Sequence, residues 1–437
     1  MKNLFKKVIC LSVVVAILLG VLSGCSTKEE AKTIDGKIEI EYWYGLGGKL
    51  GENMAAAINE FNKSQDKYVI KGIAQGSYSE TYQSLQASIA SGNAPGVVLL
   101  DNAYTNTLAN KGLLEDLNEF VKNDDSFNED DFVEAFINQG RYSDKLYALP
   151  AYGTTQVLYY NKEAFEKAGI SEDSLNTWEG LADAARKLTV KKGDEVVFYG
   201  WEPMWGRLNM IDSALSNGAK FLSEDGTKVM INSSEWMHVL ESFRKWMHDD
   251  KIMRIHYGGQ GWEYWYSTID DVMQDRAAGY TGSSGDQGDL DFNKLAAHEQ
   301  PAWKGHEARP IAEAQNLAIP IGLSEEEKQC AYEFMKFFTG TKNTAKWSMN
   351  TGYIAVRKSA TDDEDFKTYA QENPQALVPL KQATHASKRW IDPTGGKIYD
   401  AISIAVDKVQ IENISAKEAL DEAQKTAQRE LDKILNK

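Results

Sequence analysis

The chain has 437 residues, which is too long for one compact core and predicts two or three lobes. Its hydrophobic fraction of 42% and charged fraction of 26% are those of an ordinary globular protein. Asp and Glu total 64 against 48 Lys and Arg, giving a formal net charge of -16. Because proteins hold phosphate backbones through clustered cations, this acidity argues against DNA or RNA as a partner.

Residues 1–25 have the features of a lipoprotein signal peptide. Three lysines precede a short apolar run, Val8–Leu19, and the segment ends in the tetrapeptide LSGC at residues 22–25. This tetrapeptide resembles a bacterial lipobox, so we expect cleavage before Cys25 and acylation of its thiol. A transmembrane anchor is the alternative, but the run is short for a span. Two acyl chains anchor stably, which predicts a lipoprotein on the extracellular face of the cytoplasmic membrane, of the Gram-positive type.

The remaining cysteine argues against a disulfide or a metal centre. After cleavage Cys330 is the one thiol besides Cys25, and it lies in an apolar helical stretch, which predicts a buried, inert side chain. The six His residues are scattered and do not match a metal-ligand spacing. We therefore expect neither a metal nor a cofactor.

Strands and helices alternate after a charged tether at residues 26–36. The predicted strands are Lys37–Tyr44, Tyr68–Ala74 and Gly96–Asp101, and a helical pattern follows each of them. This order predicts a mostly parallel sheet covered on both faces. Ligands of such sheets bind outside the carboxyl ends of the strands, where Asp101 and Asn102 lie. Asp101 is equally suited to cap the helix that follows it.

The stretch Tyr147–Asn161, YALPAYGTTQVLYYN, is predicted to carry the chain from one lobe into the other. We interpret it as two strands around a polar turn at residues 153–155, with Thr154 on the floor of a cleft. Return crossings are expected near residues 299–303 and near residue 340. The predicted lobes are therefore residues 37–150 with 304–339, and residues 151–303 with 340–437.

The second half is predicted to be largely helical, with aromatic residues concentrated in loops. Trp201, Trp205, Trp262 and Trp265 lie in stretches without an apolar helical stripe. Because sugars are bound by flat aromatic faces and paired polar groups, these tryptophans are candidate ligand contacts, with core packing as the alternative. The predicted elements are helices at 162–168, 177–188, 233–248 and 325–338, strands at 196–200 and 316–319, a loop at 257–266 and a turn at 281–285.

Several stretches, taken in order, resemble a known family. They are SIASGNAP at 88–95, LYALPAYGTTQVLYYNKEAFEKAG at 146–169, TWEGL at 177–181 and TGYIAVRKS at 351–359. They are similar to the extracellular solute-binding proteins of bacterial ABC importers, in the cluster of maltose-binding and glycerol-3-phosphate-binding proteins. The resemblance implies an α/β, two-lobed periplasmic-binding-protein-like fold of class II type. It also implies crossing hinge strands, a helical C-terminal part and closure on a ligand.

The glycerol-3-phosphate branch is the most similar one, through residues 47–51, 76–78 and 351–353. That similarity implies ligand contacts at Tyr78, Asn102, Thr154, Trp201, Ser283 or Ser284, Tyr353 and Arg389. The sequence also departs from the branch. Glu313 stands where relatives have glycine and would repel a phosphate, and Asn102 replaces a usual carboxylate. Glu313 is therefore a further candidate contact, and Arg389 is either a ligand group or part of an ion pair.

These features predict a monomeric substrate-binding lipoprotein of an ABC importer. It captures a carbohydrate, with an oligosaccharide as first choice, and delivers it to the permease subunits. The alternative within the family is glycerol 3-phosphate or a glycerophosphodiester. The rival classes are a lipid-anchored glycoside hydrolase with two carboxylates and a surface adhesin. Because the sequence has no H-E-x-x-H, P-loop or G-x-S-x-G motif, we expect a protein that is not an enzyme.

Overall fold

A computed structural model describes residues 33–260, 262–387 and 389–436. Cys25 and the predicted signal peptide lie outside the described residues. Within those ranges, no helix combines the length and the apolar character that a membrane crossing requires.

Strands and helices alternate along the first part of the chain and helices dominate the last part. The strands are β1 Thr33–Ile34, β2 Lys37–Tyr44, β3 Tyr68–Ala74, β4 Val97–Asp101, β5 Arg141–Tyr142, β6 Lys145–Leu146, β7 Ala148–Asn161, β8 Val190–Lys192, β9 Glu195–Phe198, β10 Glu202–Pro203, β11 Gly279–Ser283, β12 Leu295–His298 and β13 Ala312–Ala318. The α-helices are Gly48–Ser64, Tyr78–Ala90, Asn102–Asn110, Asn118–Lys122, Glu134–Ile137, Lys162–Lys167, Trp178–Leu188, Arg207–Leu215, Ser234–Arg244, Glu263–Met273, Glu325–Phe338, Thr341–Thr351, Glu364–Glu372, Leu377–Ala383, Lys397–Gln410 and Ala416–Leu435.

One mixed sheet runs through the molecule. Its order is β1-β2-β4-β13-β7-β11-β10, with β3 beside β2 and β12 beside β7. β2 pairs in parallel with both β3 and β4, as the alternation of strands and helices predicts. β13 then pairs antiparallel with β4 and with β7, so it joins the parallel part to the long strand.

β7 is one continuous strand of 14 residues that contributes to both of the two largest hydrophobic cores. Its first half pairs with β13, and its second half pairs with β11 and β12. The turn predicted at residues 153–155 is wrong, because the strand passes straight through. A Cβ at Gly153 would lie 2.1 Å from Cζ of Phe136, so this glycine allows a ring to pack on the strand.

The two cores confirm the predicted two-lobed α/β fold with a crossing strand and a helical C-terminal part. The first core holds Leu149 and Tyr152 from β7, and it includes the helix Glu325–Phe338. Cys330 of that helix is buried as predicted, and burial raises the pKa of its thiol to about 12. The second core holds Leu158 of β7 and the apolar faces of four helices. These helices are Trp178–Leu188, Ser234–Arg244, Lys397–Gln410 and Ala416–Leu435.

Residues after Gly340 divide between the two cores. Trp347, Ile354 and Val356 are buried in the first core, whereas the last two helices belong to the second. Trp347 stacks on Tyr152 of β7 with ring centroids 5.2 Å apart. This packing differs from the predicted boundary, which assigned all of residues 340–437 to the second lobe.

Two predicted irregular stretches are more regular than expected. The helix Glu263–Met273 begins inside the loop predicted at 257–266. β11 extends to Ser283, inside the turn predicted at 281–285, and a 3-10 helix Ser284–Asp289 follows it. Ser283 and Asp286 form a capping box at the start of that 3-10 helix, which fixes both side chains.

Candidate ligand-binding site

A cavity of about 600 Å³ lies where the two cores meet. Leu46, Tyr78 and Tyr353 of the first core line it, as do Trp205 and Asp286, which follow β7 in the chain. Thr154 of β7 lines the cavity between them. This volume is in the range of pockets that enclose a small molecule, and groups from both lobes can contact one ligand.

Two helices begin at the cavity with glycine N-caps. Gly47 precedes the helix Gly48–Ser64, and Gly206 precedes the helix Arg207–Leu215. Both glycines line the cavity and have no side chain to cap the first backbone N–H groups. Helix N-termini carry partial positive charge, so these N–H groups can donate to ligand oxygens.

Five aromatic residues form one wall of the cavity, which we call the aromatic wall. They are Trp205, Trp262, Tyr264, Trp265 and Tyr266. The rings of Trp205 and Tyr264 are 4.9 Å apart at 85°, and those of Trp262 and Trp265 are 6.0 Å apart at 86°. Trp262 is 55% exposed and Tyr266 is 58% exposed. The wall therefore presents ring faces in several directions to a ligand.

Asp286 supports the base of the aromatic wall. Its carboxylate accepts hydrogen bonds from Trp265 Nε1 at 2.9 Å, from the Ser283 backbone N–H at 2.9 Å and from the Tyr280 hydroxyl at 3.2 Å. Burial raises the pKa of Asp286 to about 7, and the three donors oppose that rise. Asp286 therefore orients both Trp265 and the Ser283 turn at the cavity.

A second buried acid, Asp212, connects the cavity to the strands that cross between the lobes. Its carboxylate accepts from Gln300 Nε2 at 2.8 Å and from the Ile311 backbone N–H at 3.1 Å. Burial raises the pKa of Asp212 to about 8. Gln300 Nε2 also donates to the Gln156 carbonyl of β7 at 3.1 Å. The network thus ties one cavity wall to the crossing segments.

The predicted site residues fall into two groups. Eight of them line the cavity, and Thr154 among these has its Oγ1 3.1 Å from Ser283 Oγ and 3.4 Å from Ser284 Oγ. The eight are Tyr78, Thr154, Trp205, Trp262, Trp265, Ser283, Glu313 and Tyr353. Asp101, Asn102, Trp201, Ser284 and Arg389 lie behind the lining.

Each residue behind the lining has a partner in the protein. Asp101 accepts from the Tyr104 backbone N–H at 2.7 Å and so caps its helix, and burial raises the pKa of its carboxyl. Trp201 is 1% exposed and donates through Nε1 to Thr281 Oγ1 at 3.1 Å. Asn102 and Ser284 are buried, and Arg389 forms an ion pair with Glu313.

Several lining residues were not predicted from the sequence. They are Arg207, Asp212, Tyr264, Tyr266, Asp286, Asp289 and Gln315. The Ser-x-x-Asp spacing of the capping box was a signal that could have located Asp286. Asp212 lies on a helix and reaches the cavity through lobe packing, for which the local sequence contains no signal.

A cluster outside the cavity has the residue types of a metal site but functions as an ion-pair network. Glu202, His256 and Asp271 lie close enough to share an ion. Arg254 Nε lies 2.5 Å from Glu202 Oε1, and Arg276 Nε lies 2.5 Å from Asp271 Oδ1. Two guanidiniums therefore neutralise the two carboxylates, which removes the attraction that a cation needs.

Two cores joined by a continuous strand around a solute-sized cavity define a two-lobed binding protein. Residues 56–375 match the model of the family described as bacterial extracellular solute-binding protein, and the chain belongs to that family. The sn-glycerol-3-phosphate-binding periplasmic protein UgpB of Escherichia coli (strain K12) is 25% identical over 355 residues, covering 78% of this chain and 80% of that protein.

Solved structures with the same fold bind different small molecules. UgpB from Mycobacterium tuberculosis, in complex with glycerophosphocholine, is 22% identical with a TM-score of 0.79, covering 92% of this chain and 100% of that chain. The GacH receptor of Streptomyces glaucescens, solved unliganded and with acarbose, is 18% identical with a TM-score of 0.78, covering 90% and 98%. Lmo0181 from Listeria monocytogenes, in complex with cycloalternan, is 20% identical with a TM-score of 0.76, covering 90% and 98%.

Proposed function

We propose that this protein is the substrate-binding lipoprotein of an ABC importer and that it captures a carbohydrate, an oligosaccharide in particular, in the cavity between its lobes. The protein is a monomer without enzymatic activity, and it hands its ligand to the permease subunits. Acylated Cys25 and the tether between it and β1 hold it on the extracellular face of the cytoplasmic membrane of a Gram-positive cell. Ligand contacts come from the eight predicted residues that line the cavity and from the other rings of the aromatic wall.

The choice of a carbohydrate rests on the ion pair that Arg389 forms with Glu313. Arg389 Nη1 lies 2.6 Å from Glu313 Oε1, and only Glu313 of this pair lines the cavity. The guanidinium that would bind a phosphate is thus neutralised behind an acid that would repel one. A neutral polyhydroxylated ligand does not require that cation. The aromatic wall offers ring faces for the C–H side of its sugar rings.

Contacts between the lobes explain how binding is signalled. Lys49 Nζ of the first lobe donates to the Gly288 carbonyl of the second at 3.0 Å, and Thr154 Oγ1 of the crossing strand β7 lies 3.1 Å from Ser283 Oγ. A ligand that touches both walls adds to these contacts in the closed arrangement alone. Such differential affinity shifts the population toward closure, which is the form that a permease can recognise.

Glycerol 3-phosphate or a glycerophosphodiester is the second candidate. Arg207 lines the cavity next to the glycine N-cap Gly206, and its Nη1 donates to Ser403 Oγ at 3.1 Å. A guanidinium beside a helix N-terminus suits a phosphate oxygen. The similarity to UgpB, the glycerol-3-phosphate-binding protein of Escherichia coli, supports the same candidate.

Thermal unfolding of the purified protein tests the two candidates. A ligand that binds only the folded state raises the melting temperature, so a panel of oligosaccharides is compared with sn-glycerol 3-phosphate and glycerophosphodiesters. The proposal expects stabilisation by members of the oligosaccharide panel. Stabilisation by the phosphates alone would establish the second candidate. Hydrolysis of a glycoside, lost when one carboxylate is substituted, would contradict a binding protein.

A further inference from the structure

Asp289 is an acidic side chain of the cavity that the protein leaves uncompensated. It lines the cavity at the end of the 3-10 helix Ser284–Asp289 and is exposed. Glu313, by contrast, has Arg389, and Asp286 has three hydrogen-bond donors. Among the described residues, the Asp289 carboxylate has neither an ion pair nor a hydrogen bond. A negative charge thus faces the ligand space without a partner.

Asp289 lies beside the aromatic wall. Its charge acts on Tyr266 of the wall and on Asp286, which holds Trp265 through Nε1 at 2.9 Å. Trp262, 55% exposed, stands edge-to-face with Trp265. Perpendicular aromatic faces next to a carboxylate are the arrangement that attracts an organic cation, because the ring faces carry negative electrostatic potential.

The loop that carries Asp289 already accepts one ammonium group. Lys49 Nζ, which reaches across from the first lobe, donates to the carbonyl of the neighbouring Gly288 at 3.0 Å. It does so without forming an ion pair with Asp289 among the described residues. The Gly288 carbonyl and the Asp289 carboxylate therefore both face cations, and the Asp289 carboxylate remains free to bind a cationic group of the ligand.

We infer that the natural ligand carries an organic ammonium group, bound between Asp289 and the aromatic wall. The inference rests on the proposed capture of a small solute in this cavity and specifies its charge. Two kinds of solute supply this chemistry, an amine-bearing oligosaccharide and a glycerophosphodiester with an ammonium headgroup. In both, the ammonium group loses its hydration shell on binding, and its attraction to the carboxylate and the ring faces offsets that loss.

Calorimetric titration with matched pairs of probes tests the inference. The first pair, choline and its uncharged isostere 3,3-dimethylbutan-1-ol, isolates the ammonium group. The second pair is a glucosamine trimer and the N-acetylglucosamine trimer, and the third is glycerophosphocholine and sn-glycerol 3-phosphate. We expect the ammonium-bearing member to bind about tenfold more tightly, in line with a desolvated cation at aromatic faces. The second and third pairs identify which source of the ammonium group fits the cavity.

Three variants show whether the effect arises at this place. Asp289→Asn and Trp262→Leu each remove the preference for the ammonium-bearing member, because one removes the carboxylate and the other removes the ring face but keeps an apolar side chain. Asp194→Asn, on the exposed β8–β9 hairpin, removes the same charge far from the aromatic wall and leaves the preference unchanged.

Each outcome separates this inference from the proposed function. Equal binding of the ammonium-bearing and ammonium-free members overturns the inference, and the proposed function survives if an oligosaccharide still binds. Binding of glycerophosphocholine without any oligosaccharide overturns the carbohydrate proposal and supports the inference. A charge preference that persists in Asp289→Asn also overturns the inference, because the carboxylate would then not be its cause.

Discussion

The guanidinium of Arg389 and the carboxylate of Glu313 form an ion pair of 2.6 Å whose side chains are 14% and 20% exposed. Glu313 belongs to β13, which pairs with β4 and β7, and Arg389 belongs to the segment that precedes the helix Lys397–Gln410. Only Glu313 of this pair lines the cavity. The ion pair neutralises the positive charge of Arg389 and places a carboxylate at the cavity wall, which disfavours anionic ligands. Whether the cavity favours or disfavours an anionic ligand thus depends on Glu313, the ion-pair partner of Arg389.

Glu313→Gln should increase the affinity for phosphate esters. The substitution leaves the Arg389 guanidinium without its counter-charge and removes the acid that faces the ligand. We expect sn-glycerol 3-phosphate to bind about tenfold more tightly, measured by calorimetry, and the free energy of unfolding to fall by about 1–3 kcal/mol.

Glu299→Gln is the matched control for that substitution. Glu299 has the same 20% side-chain exposure and is paired with Lys381, and it does not line the cavity. Its substitution should leave phosphate binding unchanged. If Glu313→Gln and Glu299→Gln increase the affinity for phosphate esters equally, the gain comes from the loss of one negative charge anywhere in the protein. The interpretation of the Glu313–Arg389 pair is then wrong.

Thr154→Val should weaken ligand binding while preserving the fold. Thr154 Oγ1 of the crossing strand β7 lies 3.1 Å from Ser283 Oγ, so valine keeps the shape of the side chain but removes a polar group that lines the cavity. One hydrogen bond is worth about 1 kcal/mol, which corresponds to a roughly fivefold loss of affinity. Calorimetry with the best ligand from the thermal screen measures it.

The control for this substitution is Thr368→Val. Thr368 is exposed on the helix Glu364–Glu372, where its hydroxyl donates to the Glu364 carbonyl at 2.9 Å. Its replacement should not alter ligand affinity. Unchanged affinity in Thr154→Val would mean that β7 only connects the lobes.

Elements with a clear local pattern were predicted well from the sequence. The helix Glu325–Phe338 has its predicted bounds, because Ser324 and Glu327 form a capping box and the apolar residues recur with helical spacing. The strands β2 and β3 also coincide with their predictions. In these elements the side-chain period and the terminal residues both favour the observed structure.

Elements that depend on distant packing were predicted less well. Gly153 has the composition of a turn, yet the Phe136 ring next to its backbone explains the glycine within β7. Gly258 and Gly259 suggested a loop, but the aromatic residues after them begin a helix at Glu263. Trp201 and Trp262 are alike in local sequence, and tertiary packing buries one and exposes the other. The sequence around each tryptophan does not contain that information.

A pair of tryptophan substitutions separates core packing from ligand contact. Trp201→Phe should lower the free energy of unfolding by about 2 kcal/mol, because it opens space in the second core and removes the hydrogen bond to Thr281. Trp262→Phe should change stability by less than about 0.5 kcal/mol because its side chain is exposed, but it should weaken ligand binding. Urea unfolding and calorimetry on both variants provide the comparison. Loss of affinity in Trp201→Phe without loss of stability would contradict this assignment.

The buried acids Asp212 and Asp286 should make the protein less stable as the pH rises. Burial raises the pKa of Asp212 from 3.8 to about 8 and that of Asp286 from 3.8 to about 7. Between the unfolded and folded values the folded chain holds more protons than the unfolded chain. The free energy of unfolding therefore falls with rising pH, by at most about 1.4 kcal/mol per pH unit for each group, and levels off above the folded pKa.

Asp212→Asn tests the larger of these two effects. Asparagine cannot ionise and keeps an oxygen for the Ile311 backbone N–H, so the decline in stability between pH 5 and pH 8 should become shallower than in the unsubstituted protein. Urea unfolding at each pH measures the decline. The exposed variant Asp194→Asn should retain the original slope. Identical slopes in all three proteins would show that Asp212 does not take up a proton on folding, and that its ionised form is stabilised by Gln300 and Ile311.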